Sequence, residues 1–139
     1  MKRLLVVTTM IEAGAGLALL CCPSAVVKLL LGTPLDVHVA ITLGRVAGAA
    51  LLALGIANWL AKYDEQSCAA RGLVSAMVLY NLGAVVILGV AGFQLHPTGV
   101  ALWPAVLLHA AMTVWCVTTL LKKTTQTAEK GTEFENNQK

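Results

Sequence analysis

The chain has 139 residues, of which 58% are hydrophobic and 12% charged, with a mean hydropathy of +0.77 and a formal net charge of +3. Soluble domains carry about 25% charged residues, so the composition argues against a water-soluble fold. The basic residues lie scattered at the ends of apolar runs, which offers no nucleic-acid-binding surface.

Four apolar runs, at 4–22, 39–60, 73–95 and 100–121, fill most of the chain. Each is close to the roughly 20 residues that cross a hydrocarbon core of about 30 Å as a helix. The expected fold is an all-α, integral membrane four-helix bundle over residues 1–123, followed by a polar tail at 124–139.

The first run follows Met1-Lys2-Arg3 and ends at Cys21-Cys22, in the outline of a lipoprotein signal. Leu20 stands where such a signal needs a small residue, and Glu12 interrupts its apolar region, so the run reads as a retained span. Residues 24–31 are too few to span. Ser24 can cap a short helix here, Gly32 can end it and Pro34 blocks its continuation. Lys28 lies among Val26, Val27, Leu29 and Leu30. The segment is either an interfacial helix on the outer leaflet or an ordered apolar cover over the bundle.

The second run carries Gly44-x-x-x-Gly48 and then Gly55, a stripe of small residues that admits another backbone. It is a candidate contact for a partner helix or a second copy of the chain. Trp59 and Tyr63 mark its inner end as interfacial anchors, and a short polar loop follows at 62–72. The third run has Gly83, Gly89 and Gly92. Residues 95–99, with His96-Pro97 and Gly99, predict a tight turn, which makes the last two spans antiparallel neighbours. Trp103 and Pro104 fall in the first turn of the fourth helix, where proline is tolerated. The tail is polar, of mixed charge, and is expected to be disordered unless a partner holds it.

Charge placement sets the orientation. Lys2, Arg3, Lys62, Arg71, Lys122, Lys123, Lys130 and Lys139 fall on one side and Lys28 on the other, so both termini are expected in the cytoplasm.

Each span also carries one polar group in its interior: Glu12, Arg45, Asn81 and His109. At ~1.5 Å per residue, Glu12 and Asn81 lie about 12–14 Å from the inner face, His109 about 17 Å and Arg45 about 21 Å. Ionisable groups in hydrocarbon need partners. Arg45 stays charged, so Glu12 is its expected counter-ion, with Asn81 and His109 completing the hydrogen bonds. Tyr80, Thr42 and Thr113 are placed to extend the network. Three roles stay open for it. It can fix helix register alone, it can hold the polar end of a lipid or quinone, or it can carry protons.

Cysteine chemistry is not indicated, since no Cys-x-x-Cys pair occurs. Cys21, Cys22, Asp36, His38 and His96 map to the outer boundary as candidate metal ligands, but their spacing fits no standard motif. No metal or certain cofactor is assigned.

The stretch from Leu43-Gly-Arg-Val-Ala-Gly through Gly55, the short charged loop, and Ala70-Arg-Gly-Leu-Val-Ser-Ala-Met77 resemble the DoxX-like group of small four-helix bacterial membrane proteins. The first helix with its Gly-rich stretch and the apolar Val26–Gly32 segment are also similar, so that the likeness covers about two thirds of the chain, and it rests on Gly and Leu patterns. The chain differs in carrying Arg45 where many members have an acidic residue. The resemblance implies a multi-pass protein of a bacterial inner membrane and an accessory role beside quinone-linked redox systems. The expected function is therefore an accessory or scaffold subunit, possessing membrane lipids and either a second copy or another membrane subunit as partners. The alternatives are a proton-coupled transporter working as a dimer and a membrane enzyme acting on a lipid or quinone with His109 as acid–base.

Overall fold

A computed structural model describes residues 1–95 and 98–136, with side chains described to residue 122. The described residues form five helices: α1 (Lys2–Cys21), α2 (Pro23–Leu31), α3 (His38–Ala61), α4 (Cys68–Gln94) and α5 (Leu102–Asn136). α1, α3, α4 and the Leu102–Lys122 part of α5 are each long and apolar enough to cross a membrane. The protein is an all-α, multi-pass membrane bundle, and its four long helices alternate in direction, so Met1 and Lys122 lie at one end.

Local chemistry explains the breaks. Pro23 starts α2 at its first position, where no amide hydrogen is needed, and Gly32 ends it in the left-handed conformation at φ 84°. Ser24 does not cap this helix; its hydroxyl donates to Leu35 O at 2.9 Å and ties down the following loop. α4 begins five residues before its apolar run because Ser67 Oγ accepts from Ala70 N–H at 3.1 Å. Trp103 and Pro104 lie in the first turn of α5. That helix continues past Lys123 to Asn136, where composition predicts an unstructured tail. Residues 124–136 contain one glycine and no proline, so nothing in their backbone chemistry stops a helix already nucleated in the bundle.

The bundle is built from two antiparallel pairs. α1 lies tightest against α3, and α4 against α5. The pairs meet through a core of Leu4, Leu5, Val74, Met77, Met112 and Cys116, all in the half nearer Met1. At the other end α2 touches α1, α3 and α5. Its last carbonyls are capped by the α4–α5 connection: Gly99 N–H donates to Leu30 O at 3.2 Å and Ala101 N–H to Leu29 O at 2.9 Å. The outward faces carry residues such as Leu43, Ile56, Leu79, Ile87 and Val114, as lipid-facing helices require.

Candidate functional site

Glycines set the register of α1 on α3. A β-carbon on Gly16 would stand 2.8 Å from Gly48 O, and one on Gly48 would stand 2.8 Å from Gly16 O. The two backbones touch at this crossing, which no larger residue permits. The small-residue stripe of α3 is thus used within the chain: Gly48 and Gly55 face α1, and Gly44 faces Pro23 and Leu35. The expected docking of a second copy or partner helix on Gly44 and Gly48 gives way to this internal contact.

One consequence is the place of Glu12. Gly55 lies against Ala13 and the Glu12 β-carbon, and Thr9 Oγ1, which also donates to Leu5 O at 2.8 Å, lies 3.2 Å from Gly55 O. Glu12 is 4% exposed, and its Oε2 is buried with no hydrogen-bond partner among the described residues. Asn58, one turn inward of Gly55, is 0% exposed. Its amide nitrogen donates to Leu54 O at 3.0 Å and to Met77 Sδ at 3.2 Å, while Oδ1 is also without a partner.

The other pair supplies the remaining groups. Asn81 Nδ2 donates to Met77 O at 2.7 Å. That bond fixes which way the amide faces, so Oδ1 is the atom 2.8 Å from His109 Nδ1. A carbonyl oxygen only accepts, so His109 donates from Nδ1. The Tyr80 ring meets the imidazole edge-on at 5.8 Å between centroids. Met77 accepts from Asn58 through its sulfur and from Asn81 through its carbonyl, so Asn58 on α3, with Glu12 one turn away against Gly55, stands at the level of Tyr80, Asn81 and His109.

Three expected members do not join. Arg45 is exposed and makes no ion pair with Glu12. The glycine register is the reason. Glu12 sits opposite Gly55, and Arg45 is ten residues further along α3, an axial gap of about 15 Å that the two side chains do not close. Thr113 Oγ1 donates to His109 O at 2.8 Å and Thr42 Oγ1 to His38 O at 2.9 Å, so each hydroxyl serves its own helix backbone and extends nothing. Among the described residues, Cys21, Cys22, Asp36 and His38 form no group of three fit to hold a metal ion, and His96 lies outside the described residues.

Asn58 is the member the sequence reading missed. Its signal was present: an amide three residues after Gly55 falls on the same helix face. The neighbouring Trp59 drew attention to the membrane boundary instead.

The cluster lies where the close-packed core ends. On the Met1 side, Leu4, Leu5, Val74, Met77, Met112 and Cys116 are all buried between the pairs. Beyond it, Gly16 and Gly48 are buried within α1–α3, and Gly92 lies under Leu102 and Trp103 within α4–α5. Ala84, Val85 and Leu88, on the Asn81 side of α4, are only half-buried. No family model, no curated protein and no solved structure matches this chain.

Proposed function

We propose that the protein is an accessory or scaffold subunit of a membrane complex that holds a lipid or quinone by its polar end. The observation that carries this reading is the pair of buried oxygens, Glu12 Oε2 and Asn58 Oδ1, that lack a donor beside the Asn81–His109 hydrogen bond. A buried polar atom without a partner costs about 1–3 kcal/mol, and more for a charged one. Helix register alone does not call for that cost, because the glycine crossing already fixes it. A hydroxyl, as on a quinol ring or a lipid head, donates to one of these oxygens, and the half-buried Ala84, Val85 and Leu88 offer an apolar flank to its body. Gly14, Gly83 and Gly89 have open space where a side chain would stand. Internal packing does not account for them, and a neighbouring subunit's helix does.

Native mass spectrometry of the protein in mild detergent tests this reading. A small molecule should stay bound to the wild type and to Arg45→Gln, and should be lost from Glu12→Leu and Asn58→Leu. A wild type that never retains one, beside a Glu12→Leu variant of higher stability, refutes it.

A second reading draws on the separation of Glu12 from Arg45. A carboxyl with no cationic partner is free to exchange a proton, as a proton-coupled carrier needs. Proton uptake into vesicles holding the protein, abolished by Glu12→Gln, would favour this reading over a static ligand site.

A further inference from the structure

A cavity of about 650 Å³ lies at the end of the bundle that holds Met1 and Lys122, far from the Glu12 cluster. The start of α1, the α3–α4 loop and α5 line it. Lys2, Arg3 and Lys122 contribute three cationic side chains, and Glu65, Trp115 and Thr119 complete the wall. Glu65 faces the Met1 amino group at 3.6 Å, so one carboxylate stands against three basic side chains and is itself engaged. We propose that this cavity is a binding site for a phosphate-bearing anionic headgroup from the surrounding bilayer.

Four features support this chemistry. The charge balance favours an anion. The depth is right, because Leu4 and Leu5 are already buried in the core one turn from Lys2, so the cavity sits at headgroup level. Trp115, 40% exposed, is the amphipathic ring that favours the interface. The volume is of the size that takes a whole small ligand, about 300–1,000 Å³, and far exceeds a bare phosphate ion. Basic pockets between membrane helices on the cytoplasmic side recognise anionic headgroups by these means. The positive-inside pattern puts this end there.

The full chain, purified in mild detergent, is offered phosphatidylglycerol, phosphatidylcholine or inorganic phosphate, and retained ligand is read by native mass spectrometry. The wild type should keep phosphatidylglycerol in preference to phosphatidylcholine. The triple change Lys2→Gln, Arg3→Gln, Lys122→Gln should lower that preference by about a hundredfold, at roughly one kcal/mol for each basic residue. Arg71→Gln removes a cation from the same end without touching the cavity lining and should leave the preference unchanged. Lys2→Arg with Lys122→Arg keeps the charge and should keep the preference. Should the triple variant not fold, Lys122→Gln alone takes its place, with a smaller loss expected. A triple variant, or Lys122→Gln in its place, that keeps the wild-type preference, or an equal loss in Arg71→Gln, overturns the site. Inorganic phosphate bound without any lipid retained overturns the headgroup assignment.

Discussion

The two helix pairs solve the same problem in opposite ways. α1 and α3 meet through missing side chains: Gly16 and Gly48 let carbonyls and backbone touch. α4 and α5 meet through side chains, with Asn81 bonded to His109 and Leu102 and Trp103 filling the space over Gly92. In lipid, helices gain nothing by hiding apolar surface from one another, so close van der Waals contact and polar bonds are the two means left. The glycine joint fixes axial register rigidly, because backbone does not yield. The side-chain joint can adapt by rotamer. The polar cluster straddles the two, with Glu12 and Asn58 on the rigid pair and Tyr80, Asn81 and His109 on the adaptable one.

Breaking the rigid joint has the largest effect. Gly48→Leu drives a side chain into Gly16 O and Leu20 N, both backbone atoms, each 2.8 Å from the new β-carbon. Overpacking costs about 1–3 kcal/mol and more where nothing can move, so the loss should lie at or beyond the top of that range. Gly83→Ala is the control: its β-carbon meets nothing within 4 Å, and alanine's helix propensity should leave stability unchanged or raise it by up to about 1 kcal/mol. Unfolding titrations in mixed detergent read both. Equal effects would mean that the α1–α3 contact is not the close crossing described here.

The adaptable joint should lose less. Asn81→Leu removes the acceptor for His109 Nδ1 and leaves a half-buried imidazole hydrogen unpaired, at about 1–2 kcal/mol. Pairing it with His109→Phe in a double-mutant cycle should give a coupling near the ~0.6 kcal/mol average for polar pairs in membrane bundles, and no larger than ~1.7. A coupling of zero would dissolve the polar bond between α4 and α5.

Much of this was legible before any coordinates. Apolar run length gave four spans, Gly32 and Pro34 gave the end of α2, and Pro104 marked the start of α5. Similar depth placed Asn81 and His109 in one site as donors and acceptors for Glu12 and Arg45, and the structure bonds them to each other instead. The pairing of Glu12 with Arg45 did not survive, because depth estimated from each span's ends carries an error of several ångströms. The Gly16–Gly48 crossing sets the true register, and only the mutual fit of two surfaces reveals it. Which glycines face inward is equally invisible in one dimension: Gly48 and Gly14 look alike in the chain, and one is packed while the other is open.

The smallest expected effect is also the sharpest check on that register. Arg45 is exposed on α3, where its long side chain can reach toward the bilayer surface. Arg45→Gln should therefore change stability by no more than about 0.5 kcal/mol, as at other surface positions. Glu12→Gln replaces a buried carboxyl by a neutral amide, and its effect should be the same whether residue 45 is Arg or Gln. Sites more than about 7–10 Å apart with no shared partner add to within ~0.3–0.5 kcal/mol. A coupling of several times that size would bring the carboxylate and the guanidinium together after all. The α1 register would then have to slide toward Arg45 by more than one helical turn. That slide would carry Gly16 off Gly48, so the glycine joint and a Glu12–Arg45 ion pair cannot both be right.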